Sequence, residues 1–181
     1  PGIVHAFIFW GAVLLGAREV TLMGEGFIKG FQEFLPLLGS NHLAGFVYIF
    51  VYNTFEVVVL AGVLIMLYRR IVSKPKRLSL NWEGIYVLLY ISGIMLTDLL
   101  FDAGRFNLIQ HWNHDLHYFH SAVYGTEMEW APFAMLLAGI FAPLGETANA
   151  FLYHFGFWGH VLVMLTFVNI LINTKQFHEI T

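Results

Sequence analysis

The chain has 181 residues, is 58% hydrophobic and only 12% charged, and carries a net charge of −3. Soluble domains carry about 25% charged residues, so this composition excludes an ordinary soluble domain and reads as one membrane domain over residues 1–181; the acidic balance gives no nucleic-acid signal. Cysteine is absent, which excludes disulfides, thiolate-bound iron–sulfur clusters and cysteine nucleophiles from these residues. Nine histidines are many for so apolar a chain. Pro1 in place of Met is expected to mark a processed or incomplete N-terminus, and no basic segment precedes the first apolar run as a signal peptide requires.

The first apolar run, residues 3–23, is long enough to span a bilayer. His5 stands at its start. On a helix, Phe9, Ala12 and Gly16 share the His5 face; the small Ala12 and Gly16 leave room for a flat macrocycle, or equally pack another helix. Arg18 lies inside the run and needs an acidic partner, or must reach the interface. Glu19, Glu25 or a haem propionate would serve. Residues 24–42 are a glycine-rich connection ending at His42, the mouth of the next helix.

Residues 43–68 form the second span, with Glu56 near its middle. A carboxylate at that depth serves proton movement or pairs with a neighbouring helix. The following loop holds Arg69, Arg70, Lys74, Lys76 and Arg77, five of the nine basic residues. The positive-inside rule assigns loop 69–77 to the cytoplasmic side. The second span then runs out-to-in and His5 lies near the cytoplasmic face. The third span is expected over 84–103, with Asp98 and Asp102 one turn apart on one face. They would accept protons, bond a loop, or pair with Arg105.

Residues 104–129 carry His111, His114, His117 and His120 at intervals of three. That spacing sweeps around an α-helix, which suits a solvated interfacial helix; one of them reaching inward as a ligand is the alternative. The apolar stretch 130–144 is bracketed by Pro132 and Pro143 and is short for a span. An interfacial or re-entrant helix fits it. In that case the last span, 147–173, enters from outside and ends at the cytoplasmic level of His5.

His160 and His178 lie eighteen residues apart. That is five helical turns and about 27 Å, so both rings leave one face near opposite sides of a membrane. The spacing suggests haem ligation with electron transfer across the bilayer, or two interfacial histidines on a spanning helix. His5 and His178 pair across a b haem if the first and last spans are antiparallel neighbours. The level of His160 on the first helix holds Leu15, Gly16, Ala17 and Arg18, none of them a haem ligand. Its partner would be His42 or one of His111–His120, unless the site is five-coordinate or empty. The expected fold is therefore an all-α membrane protein. It has four spanning helices in a b-haem bundle plus the short helix, with five spans as the alternative.

The start Pro1-Gly2-Ile3-Val4-His5-Ala6-Phe7-Ile8-Phe9-Trp10-Gly11, the basic loop after the second span, and the end Trp158-Gly159-His160 through Lys175-Gln176-Phe177-His178-Glu179-Ile180-Thr181 resemble the nitrate-reductase gamma-subunit-like domain. The resemblance is to the form fused or paired with heterodisulfide-reductase-like iron–sulfur oxidoreductases, and it covers essentially the whole chain. It implies a cytochrome b of the prokaryotic cytoplasmic membrane. Such a subunit exchanges electrons between a quinone pool and a cytoplasmic iron–sulfur partner. His5, His160 and His178 match family haem ligands, while the family's second histidine on the first haem-binding helix has no counterpart here. One b haem is expected at His5 and His178, and His160 marks a second site. By the same resemblance quinol binds near the outer haem, with His42 as quinone contact or outer ligand. A haem-free proton-conducting subunit, using Glu56, Asp98, Asp102 and histidines as a relay, is the competing reading. A further alternative is a simple membrane anchor.

Overall fold

The computed structural model describes residues 2–28, 31, 35, 38, 42–73, 82–114 and 128–173. Among the described residues every regular element is helical. Helix α1 spans Gly2–Phe27, α2 spans Leu43–Tyr68 and continues as a π-helical turn Arg69–Ser73, and α3 spans Trp82–Trp112. The short α4, Pro132–Phe141, leads through a 3-10 turn at Ala142–Leu144 into α5, Glu146–Asn173. Three helices, within Leu43–Ser73, Gly84–Trp112 and Glu146–Ile170, are long and apolar enough to cross a membrane. Without water, each backbone N–H must find its carbonyl within the helix, so even the β-branched run Val57–Val59 stays helical.

Side-chain pairs fix how the helices run. Gly11 of α1 meets Val59 of α2, while Arg18 lies over the Tyr52 ring, so α1 and α2 are antiparallel. Arg70 packs on Gly84, joining the end of α2 to the start of α3. Along α3 and α5 the neighbours are Gly93 with Val163, Thr97 with Gly159, Phe101 with Gly156, and Gly104 with Tyr153, again antiparallel. The start of α1, the Arg69–Ser73 turn and the end of α5 therefore share one face, called the basic face below. The other ends share the opposite face, where His114 after α3 meets Glu146 at the start of α5, Nε2 to Oε1 2.7 Å.

The α3–α5 seam is set by glycine. A Cβ on Gly156 would stand 2.5 Å from the backbone N of Phe101, and one on Gly104 would stand 2.6 Å from the backbone N of Tyr153. Small residues let two helix backbones approach this closely, a common device in membranes. Gly156→Ala and Gly104→Ala are each expected to lower stability by about 1–3 kcal/mol. Gly139→Ala, with nothing within 4 Å of the added carbon, is expected to leave it unchanged. Thermal unfolding of the three variants in one detergent checks this.

α3 passes the expected boundary at residue 103 and runs to Trp112. The reason is packing: Ala103, Phe106 and Leu108 are buried, Arg105 pairs with Asp102, and Asn107 donates to Ala138 O at 2.8 Å and to Asn149 Oδ1 at 2.7 Å. The segment 104–129, expected as a separate outer stretch, thus begins as the last turns of α3. α4 has only ten residues. With its 3-10 turn it covers about 20 Å, short of a bilayer core. Its first N–H groups, Phe133 N and Ala134 N, donate to Asn53 Oδ1 at 2.9 and 3.3 Å. Asn53 lies eleven residues into α2, so α4 begins at mid-depth. From there it runs with the last turns of α3 toward the opposite face, Asn107 holding Ala138. Gly145, with φ +86°, then turns the chain into α5.

Candidate functional site

The middle of the bundle holds a buried polar cluster drawn from four helices. α1 supplies Arg18 and Glu19, α2 supplies Tyr52, Asn53 and Glu56, α3 supplies Thr97, Asp98, Asp102 and Arg105, and α5 supplies His160. Arg18, Glu56, Asp98, Asp102 and Arg105 are each no more than 3% exposed. Charge at this depth is costly, so every such group must be paired or carry a function.

Asp102 is the hub. Arg18 Nη2 donates to both its carboxylate oxygens at 3.2 Å, and Arg105 Nη2 approaches Oδ1 at 3.0 Å. Arg18 Nε stands 3.6 Å from Asp98 Oδ2. The Arg18 guanidinium carbon lies 4.6 Å from the Tyr52 ring centroid, and that of Arg105 lies 5.0 Å from the Phe106 centroid. A planar, delocalised cation suits both contacts at once, which a lysine would not. Thr21 donates its hydroxyl to Arg18 O at 2.7 Å. Asn53 Nδ2 donates to Glu56 Oε2 at 3.1 Å, so this one amide ties the start of α4 to Glu56. Asn53→Ala removes the cap of α4 and is expected to cost about 1–2 kcal/mol, read as a lowered unfolding temperature.

His160 is held on both ring nitrogens. Nδ1 lies 3.3 Å from Ile94 O and 3.4 Å from Thr97 Oγ1. Nε2 lies 2.9 Å from Glu19 Oε2. The residue across from His160 on α1 is thus a carboxylate one position beyond the four expected at that level. Arg18 finds its acidic partners on α3, while Glu19, one of the three partners expected for it, turns to His160.

Whether these residues fit a haem can be asked of the geometry. A ligating imidazole has its remote N–H fixed by a carbonyl or carboxylate so that the other nitrogen faces the metal. Ile94 O gives Nδ1 of His160 this kind of support and aims Nε2 at α1. α1 packs along α2, and meets α5 through Glu19 and His160 rather than along a helix seam. A Cβ built on Gly16 meets nothing within 4 Å. These observations fit a flat group between α1 and α5, with Glu19 moved off Nε2.

The remaining sequence candidates are spread over the two faces. His5 is in the first turn of α1 at the basic face, its side chain outside the described residues, as is the whole of His178, which follows Asn173 by five positions. His42 precedes α2 at the opposite face, with extended backbone (φ −151°, ψ 163°). His111 ends α3, and His114 binds Glu146. His117 and His120 lie outside the described residues. Sequence reasoning missed Asn53, Asn107 and Asn149. The available signal was an amide within or beside an apolar run, since such a group must bridge something; all three are buried.

No family model matches this chain, and no solved structure matches it. It is 30% identical over 184 residues to the "Probable iron-sulfur-binding oxidoreductase FadF" of Bacillus subtilis (strain 168), a match covering 99% of this chain and 23% of that protein. The chain therefore spans about a quarter of the length of the curated relative it matches.

Proposed function

We propose that this chain is a membrane cytochrome b domain of the nitrate-reductase gamma-subunit-like kind, passing electrons between a quinone pool and an iron–sulfur oxidoreductase partner. The observation that carries the reading is the match of nearly the whole chain to part of an iron–sulfur-binding oxidoreductase. The helix directions support it: the start of α1, which carries His5, and the end of α5 at Asn173, five positions before His178, come to one face. Bound there, b haem supplies one-electron transfer at the membrane's edge. His5 and His178 hold it, and the basic turn at Arg69–Ser73 orients that face to the cytoplasm of a prokaryotic cell. His160, with Nδ1 anchored, offers one imidazole to a second haem at the opposite half. His42 stands at the opposite face as the quinone contact. Arg18 keeps Asp98 and Asp102 paired and so holds α1 against α3. The haem-free proton-conducting reading draws support from the buried ionic cluster. Rapid mixing of the assembled complex with quinol separates the two. The electron-transfer reading expects b-haem absorbance to rise and the iron–sulfur signal to follow. A complex whose cluster is reduced by quinol with no visible haem change, or not reduced at all, would contradict it.

A further inference from the structure

Glu56 and Asp98 present a problem in hydrogen bonding. Glu56 is 0% exposed and Asp98 2%. Glu56 Oε2 receives Asn53 Nδ2, and Asp98 Oδ2 faces Arg18 Nε. The other oxygen of each, Oε1 and Oδ1, is buried with no donor, and the two carboxyls are near neighbours across the α2–α3 contact. Two ionised carboxylates would repel in this low-dielectric layer and leave both oxygens unsatisfied. One proton between them removes the repulsion and supplies the missing donor.

The groups facing the pair are Arg18 and Glu19 of α1, Tyr48 and Tyr52 of α2, Asp102 and Arg105 of α3, and His160 of α5. The cations among them are engaged elsewhere: Arg18 and Arg105 hold Asp102 and His160 holds Glu19, and none of them donates to Glu56 Oε1 or Asp98 Oδ1.

We propose that Glu56 and Asp98 form a proton-binding site inside the membrane layer, a carboxyl–carboxylate pair sharing one hydrogen. The ligand is a proton, and its neighbours Arg18 and Glu19–His160 lead from α2 and α3 to the α1–α5 gap. The two oxygens that lack a donor belong to α2 and α3 and take no part in the His160–Glu19 contact. Infrared spectra of the purified full chain, with the carboxyl carbon of Glu and then of Asp isotopically labelled, test it. The expected result is a protonated-carboxyl C=O band near neutral pH that moves when one of the two residue types is labelled. The band is kept in Glu19→Gln and lost when Glu56→Gln or Asp98→Asn is added to it, each variant shown to be folded by circular dichroism. Absence of a protonated-carboxyl band in the Glu19→Gln chain, or a band that survives when Glu56→Gln and when Asp98→Asn is added to Glu19→Gln, would overturn the proposal. If the variants do not fold, a band that moves with neither label has the same meaning.

Discussion

His178→Ala, and separately His5→Ala, is expected to abolish the proposed haem at the basic face and with it electron exchange with the proposed iron–sulfur partner. The two positions are at opposite ends of the chain, yet the helix directions bring the start of α1 and the end of α5 to one face. α1 is antiparallel to α2, α2 leads to α3 through the Arg70–Gly84 contact, and α3 is antiparallel to α5. α4 begins at mid-depth on Asn53 and returns to the face that α3 reached. It adds no crossing, so α5 ends where α1 begins. Had Pro132–Leu144 crossed, His178 would sit a membrane's thickness from His5. A bis-imidazole site fails when either ring is lost, so the two variants should lose the same spectral component. His160→Ala should leave that component in place. Visible spectra of the three purified variants, with haem counted per chain, check this. Full haem retention in both His5→Ala and His178→Ala would refute the pairing.

Arg18→Gln is expected to be the most destabilising single change in the bundle interior, by about 3–5 kcal/mol. The arginine touches Asp98 and Asp102 on α3 and Tyr52 on α2. Its removal leaves Asp98 and Asp102 sharing Arg105, with carboxylate charge stranded where water does not reach. α1 has its close helix contact with α2, so Arg18 is also its main tie to α3. Arg18→Lys keeps the charge but cannot face Asp98 and Asp102 from two nitrogens at once and weakens the contact over Tyr52, and should recover only part of the loss. Unfolding of the intact protein in detergent, compared across the three forms, gives the ranking native, Lys, Gln. An Arg18→Gln protein as stable as the native chain would show the ion cluster to be dispensable.

The helices were largely legible in the sequence, because apolar length is written locally. α2 was expected at 43–68 and is Leu43–Tyr68; α5 was expected at 147–173 and is Glu146–Asn173. The short helix at 130–144 was legible for the same reason, from two prolines and too few residues to span. The end of α3 was not. Gly104-Arg105-Phe106-Asn107 reads as a polar break, but glycine there admits α5, Arg105 answers Asp102, and Asn107 answers Asn149 and Ala138. These partners are 3 to 42 residues away in sequence, and no local pattern reveals the longer ones. The cluster itself was half legible. Arg18, Glu56, Asp98 and Asp102 stood out as charges in apolar runs, but who pairs with whom depends on helix depth and rotation. A difference of one residue, Glu19 in place of its four predecessors, decides what His160 meets.

The central claim, that this chain carries electrons on haem, is tested most directly by the reduced-minus-oxidised visible spectrum of the chain purified from a haem-sufficient host, with haem measured per chain. A b-type α band and at least one haem per chain are expected. A folded protein that is colourless would contradict it.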